Sequence, residues 1–127
     1  MDRRPDAVLF DAYGTLFDVY SVGLLAEQLF PGRGDALAQA WRVKQIDYTR
    51  LCSMSGRYRP FWDLTRAALR FSALRMKLDL GAPDEDRLMN QYRHLSAFPE
   101  NRDVLLALKA RGVRAGILSN GDPQMLQ

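Results

Sequence analysis

The chain is poor in the residues that usually anchor metal and disulfide chemistry. Among its 127 residues there is one cysteine, Cys52, and one histidine, His94. A lone cysteine excludes an internal disulfide, and Cys52 has neither the partners nor the spacing of a metal site, so a small buried apolar role in a reducing cytoplasm is expected. His94 has no nearby Asp or Cys to suggest a relay and reads as a surface residue. No apolar run approaches the roughly 20 residues that span a bilayer. The opening Met1-Asp2-Arg3-Arg4-Pro5-Asp6 leads into only a short apolar stretch, so neither a signal peptide nor a membrane anchor is expected. Basic clusters are also missing. Eighteen Lys and Arg against fifteen Asp and Glu leave a net charge of +3, and the cations are scattered; Arg66, Arg70, Arg75 and Lys77 read as an exposed helix face and not a nucleic-acid surface. The absence of internal repeats excludes a solenoid. What remains, 47% hydrophobic and 26% charged, is ordinary globular composition with material for one core.

Ala7 to Phe10 is a continuous apolar run ending in Asp11, as in a parallel strand buried on both faces, and Gly14 signals a turn directly after it. Helical spacing then predominates. Val22, Leu25 and Leu29 mark a first helix over Val19 to Phe30, broken by Pro31-Gly32-Arg33-Gly34. Leu37, Trp41, Tyr48 and Cys52 form one stripe of a second helix from Asp35 to about Leu51. Pro60 suits the first turn of a third helix carrying Phe61, Leu64, Ala68 and Phe71 inward, with Gly81 as its stop. Asp84, after Pro83, is placed to cap a fourth helix with Leu88, Tyr92 and Leu95 on one face. Near the end the pattern returns to α/β: a helix over Arg102 to Arg111, a stop at Gly112 and a strand over Val113 to Leu118. Asp122 and Pro123 then read as the cap and first position of another helix. Two apolar strands separated by helices predict parallel neighbours with ligands at their carboxyl ends, where Asp11 and Ser119 both fall. Two strands make an unlikely complete sheet, so further strands are expected after Gln127.

The most informative segment is Phe10-Asp11-Ala12-Tyr13-Gly14-Thr15-Leu16-Phe17-Asp18: an acid at a strand end, a glycine turn and a hydroxyl. Taken alone, such an Asp is more often a turn or helix cap. The segment resembles the first motif of the haloacid dehalogenase superfamily, whose strand-end Asp attacks the substrate. Leu118-Ser119-Asn120-Gly121 is similar to the second motif. Between them, Trp41-Arg42-Val43-Lys44-Gln45 and Gly56-Arg57-Tyr58-Arg59-Pro60-Phe61-Trp62 resemble the helical cap of the 2-haloacid dehalogenases. The resemblance implies an α/β, Rossmann-like parallel sheet, incomplete in this chain, with an inserted helical cap. Residues 1–17 and 98–127 would form the partial core and residues 18–97 the cap.

Tyr13 separates two members of that superfamily. Its phosphatases carry a second Asp there, which protonates the leaving group and gives magnesium a backbone carbonyl. A phenol, with a pKa of about 10, is a poor acid for that task, whereas halide leaves without a proton. The resemblance therefore implies hydrolytic dehalogenation of small 2-haloalkanoic acids through an aspartyl ester, with no cofactor and no metal. A superfamily phosphatase is the less favoured enzyme, and a non-catalytic binding or dimerising helical module the alternative of another class. By resemblance, Asp11 is the nucleophile and Thr15 orients it. Arg42 and Asn120 take the halide, while Ser119 with the backbone at Ala12 and Tyr13 binds the substrate carboxylate. Ile46, one helical turn after Arg42, and Phe61 would wall the pocket with the Tyr13 ring. The lysine and the late serine, asparagine and aspartate that the family places further along have no counterpart in this sequence. The implied partners are the 2-haloacid and halide, with no nucleic acid or membrane, and a homodimer through the cap.

Overall fold

The computed structural model describes residues 3–127, which divide into two compact units. The first comprises residues up to Asp18 and Ser96–Asn120; the second comprises Val19–Leu95 and Gly121–Gln127.

In the first unit, strand β1 (Ala7–Phe10) pairs in parallel with the strand over Arg114–Ile117, with Ala7 opposite Arg114 and Phe10 opposite Ile117. The amide of Leu118 donates to the Phe10 carbonyl at 2.9 Å and carries the pairing to the strand ends. A short strand β2 (Phe17–Asp18) pairs antiparallel with β3 (Ser96–Ala97), a contact too brief for any periodic signal in the sequence. Helix α5 (Glu100–Ala110) leads into β4, the Arg114–Ile117 strand, through Gly112 at φ 70°. There the Gly112 and Val113 amides return to the Lys109 and Leu108 carbonyls, the Schellman ending that a glycine favours. Leu9 lies over Gly116, where an added Cβ would come within 2.9 Å of its Cδ2.

The expected burial of β1 on both faces is not found. Leu9 is 64% exposed, Ile117 and Leu118 are also exposed, and α5 buries no residue. Each strand has one neighbour and its apolar side chains have little to pack against, although the run itself forms the strand expected of it.

The second unit is helical: a 3₁₀ turn (Val19–Val22), α1 (Gly23–Leu29), α2 (Gly34–Met54), α3 (Phe61–Arg75) and α4 (Ala82–Gln91). Its core is dense. Val22, Ala26, Leu37, Trp41, Ala68, Leu69, Leu88 and Met89 are essentially inaccessible to solvent. The Trp41 ring packs on Tyr92 at 4.8 Å between centroids, and its Nε1 donates to the Thr65 carbonyl at 2.8 Å. Tyr48, Phe71 and Cys52, expected in the core, are half-buried at its margin. The loop before α2 is closed by Glu27, whose carboxylate accepts from the amides of Gly32 and Gly34. Those two bonds hold the Glu27 carboxyl below its ordinary value, Gly32 contributing most. Gly34 is required there, because a Cβ would sit 2.5 Å from the Glu27 nitrogen.

Several helix boundaries differ from expectation, and α4 ends at Gln91, short of the Leu95 expected on it. α3 stops at Arg75, well before Gly81, because Lys77 takes the left-handed conformation (φ 56°) and a Schellman ending forms on it, with Leu78 N to Ala73 O at 2.9 Å and Lys77 N to Leu74 O at 3.1 Å. Gly81 instead precedes α4 as its N-cap, which puts Asp84 inside the first turn and not at the cap. The helix expected from Asp122 is a turn, closed by the Met125 amide on the Asp122 carbonyl. The Asp122 carboxylate caps α3 instead, accepting from Phe61 N at 3.3 Å and Trp62 N at 2.9 Å. Pro60 occupies the N-cap of that helix and has no side-chain acceptor, so the orphan amides are satisfied from a distant part of the chain. Asp122 and α3 lie in the same compact unit. Of the cations read as an exposed face, Arg70 forms a two-bond fork on Glu85 (2.7 and 2.9 Å), and Arg66 bridges Glu85 and Asp86. His94 lies on the surface, its Nδ1 3.2 Å from the Asn90 carbonyl. No helix among the described residues is long and apolar enough to cross a membrane.

Candidate active site

Asp11 follows the last residue of β1, and the backbone reverses immediately after it. The Ala12 carbonyl collects the amides of Leu16 and Phe17, both at 3.0 Å, and of Thr15 at 3.3 Å, while Gly14 N donates to the Phe17 carbonyl at 2.8 Å. Gly14 makes this possible at φ 88°, a region costly for any residue with a Cβ. The turn buries Ala12 and Tyr13 and leaves Asp11 and Thr15 exposed.

A second clamp holds the turn from below. The Asn101 side chain, near the start of α5, donates to the carbonyls of Leu16 at 2.7 Å and Thr15 at 3.1 Å, and Phe98 N donates to the Leu16 carbonyl at 3.1 Å. Asn101 gave no signal in the sequence, where it reads as one polar residue of an amphipathic helix.

β4 ends beside β1. With Phe10 opposite Ile117 and Leu118 N bonded to Phe10 O, Ser119 and Asn120 leave the sheet next to Asp11. Ser119 is half-buried and Asn120 exposed. The first unit thus gathers Asp11, Ala12, Tyr13, Thr15, Ser119 and Asn120 at the carboxyl end of one parallel strand pair. This is where α/β sheets bind ligands, since turns there present side chains and backbone amides without a strand continuing past them.

The other expected site residues belong to the helical unit. Arg42 and Ile46 lie one turn apart on α2, both half-buried, and Phe61 opens α3, buried. Arg42 Nη1 donates to Gln45 Oε1 at 2.8 Å, and Gln45 Nε2 donates to Thr65 Oγ1 at 2.8 Å. Gln45 on α2 and Thr65 on α3 are wholly buried polar residues. Neither was singled out in the sequence, although Gln45 stands one helical turn from Trp41, on the face that Trp41 marks.

The family model described as a haloacid dehalogenase-like hydrolase matches residues 5–127. Curated relatives include an (S)-2-haloacid dehalogenase of Pseudomonas putida, 44% identical over 94% of this chain and 52% of its own length. Another is haloacetate dehalogenase H-2 of Moraxella sp. (strain B), 40% identical over 98% of this chain and 55% of its own. Among solved structures, an L-2-haloacid dehalogenase superposes with a TM-score of 0.93 at 56% identity, covering 98% of this chain and 57% of that one. The L-2-haloacid dehalogenase of Xanthobacter autotrophicus with chloropropionic acid covalently bound gives 0.89 at 40% identity, covering 98% and 50%. The chain spans about half the length of the curated relatives it matches. It belongs to the haloacid dehalogenase-like hydrolases.

Proposed function

We propose that the protein this chain represents displaces halide from C2 of a small 2-haloalkanoic acid, with the Asp11 carboxylate as nucleophile. The observation that carries the reading is the convergence of Asp11 with Ser119 and Asn120 at adjacent strand ends, with Tyr13 in place of an acid. The names of the relatives supply the substrate class.

In the proposed reaction an Asp11 oxygen bonds to C2 as the carbon–halogen bond breaks, halide leaves with the bonding pair, and C2 inverts. Water then adds to the Asp11 carbonyl carbon, so that the ester opens to a 2-hydroxy acid and regenerates the carboxylate. A carboxylate is a weak nucleophile, and orientation must supply much of the rate. A held near-attack geometry is worth about 7 to 11 kcal/mol. The hydrogen-bonded turn after Asp11 supports that role, and Thr15 is assigned to orient the carboxylate. Ser119 and the backbone at Ala12 and Tyr13 are assigned to the substrate carboxylate, Arg42 and Asn120 to the departing halide, and Ile46 and Phe61 to the apolar wall. A guanidinium suits halide because it is permanently charged and weakly hydrated. A pairing of two copies through the helical unit belongs to the same proposal.

Halide release from L-2-chloropropionate and monochloroacetate, without added metal and beside an Asp11→Asn control, tests the reading. Asp11-dependent release supports it. Magnesium-dependent turnover of a phosphate ester, with no halide release, would replace it by a phosphatase.

A further inference from the structure

We infer that Gln45 and Thr65 are positioning residues that set the direction of the Arg42 guanidinium through a one-way chain of hydrogen bonds. The inference rests on the halide role proposed for Arg42. The chain of hydrogen bonds starts at the backbone of α3. The Thr65 hydroxyl donates its single hydrogen to the Phe61 carbonyl, at 2.7 Å, so toward Gln45 it can only accept. The Gln45 group facing it must therefore be the amide nitrogen, at 2.8 Å. That choice turns the Gln45 carbonyl oxygen the other way, toward Arg42 Nη1 at 2.8 Å, where an amide oxygen attracts a guanidinium and an amide nitrogen would repel it.

Each link depends on the one before it. Gln45 and Thr65 have no exposed surface, so water cannot replace a missing partner or permit the amide to flip at little cost. Trp41 Nε1 on the Thr65 carbonyl fixes the two helices at the same point. The Phe61 carbonyl is anchored in turn, since its residue begins α3 under the Asp122 cap. An arginine has many rotamers, and one guanidinium nitrogen tied to a locked acceptor leaves the planar fork far fewer directions. An interaction made only as halide departs gains from such prior ordering.

The test compares Thr65→Val, which keeps the shape and loses the hydroxyl, with Thr65→Ser, which keeps the hydroxyl, and adds Gln45→Met and Arg42→Lys. Thr65→Val and Gln45→Met are expected to lower kcat about 10- to 100-fold with KM little changed, the scale of a misplaced catalytic group. The loss should be larger for 2-chloropropionate than for 2-bromopropionate, because the poorer leaving group needs more help. Thr65→Ser should restore the parent values. In the 127-residue chain, nitrogen-15 NMR of Arg42 should show resolved, slowly averaging Nη–H signals that collapse in Thr65→Val and Gln45→Met and return in Thr65→Ser. Unchanged Arg42 signals in those two variants would overturn the inference, as would unchanged kcat where Arg42→Lys is impaired. A harmless Arg42→Lys with the NMR changes present would sink the halide role and leave the positioning chain standing.

Discussion

The two units of the chain hold their residues in place by different means. The helical unit has a closed apolar core around Trp41, in which the buried Gln45, Thr65 and Glu85 side chains are hydrogen-bonded. The sheet unit carries Asp11, Ser119 and Asn120, yet α5 buries nothing and the apolar side chains of β1 and β4 are exposed or half-buried. Its order at Asp11 comes from main-chain hydrogen bonds converging on Ala12 and from the Asn101 clamp. A turn can thus be fixed by hydrogen bonds while the sheet beneath it is thinly packed. Stability and site geometry are separable here.

That contrast predicts a graded series. Trp41→Ala removes the largest fully buried side chain and should cost about 3 to 5 kcal/mol in denaturant unfolding followed by helical circular dichroism. A loss below about 1 kcal/mol would mean the helical core is not the stable part.

Glu85→Gln should cost about 1 to 2 kcal/mol, since it breaks the two-bond fork from Arg70 and weakens the Arg66 contact. The Arg70 hydrogen bonds, with Arg66, hold the Glu85 carboxyl below 4.5 despite the opposing effect of burial. A depressed carboxyl contributes stability that is fully present above its unfolded value and is lost as pH falls through the folded value. Acid unfolding of the parent should therefore steepen below about pH 4.5 and Glu85→Gln should flatten it, as thermal melts across pH would show.

Asn101→Ala should cost about 1 kcal/mol or less in global stability, yet raise amide hydrogen exchange at Thr15, Leu16 and Phe17 selectively, because it removes two donors from the turn. Uniform protection in the variant would show that packing, and not the clamp, orders the turn. The smallest effect is expected at Leu105, 36% exposed on α5, where Ala should change stability by about 0.5 kcal/mol or less. A change as large as that of Trp41→Ala would erase the contrast between the units.

Much of this was legible in the sequence, for reasons that also mark the limits. The stripe through Leu37 and Trp41 located α2, and the runs ending at Phe10 and Leu118 located the two paired strands. Strand-end placement of Asp11, Ser119 and Asn120 followed from those runs alone. Periodicity could not reveal the two-residue pairing of β2 with β3, nor that Lys77 would accept a left-handed conformation ordinarily left to glycine. Asp122 followed by Pro123 has the local pattern of a helix start, and only the tertiary fold turns that carboxylate onto α3. Asn101 reaches a turn some eighty-five residues away, and Gln45 meets Thr65 twenty residues on, pairings that residue type alone does not announce.

The most direct test of the account is mass spectrometry of the intact chain after exposure to L-2-chloropropionate, with peptide mapping and halide determined in parallel. Halide release is expected with a propionate ester confined to Asp11, transient if the ester is hydrolysed and stoichiometric if it is not, and neither is expected in Asp11→Asn. Halide release that persists in Asp11→Asn, or an ester mapped to another carboxylate, would contradict it.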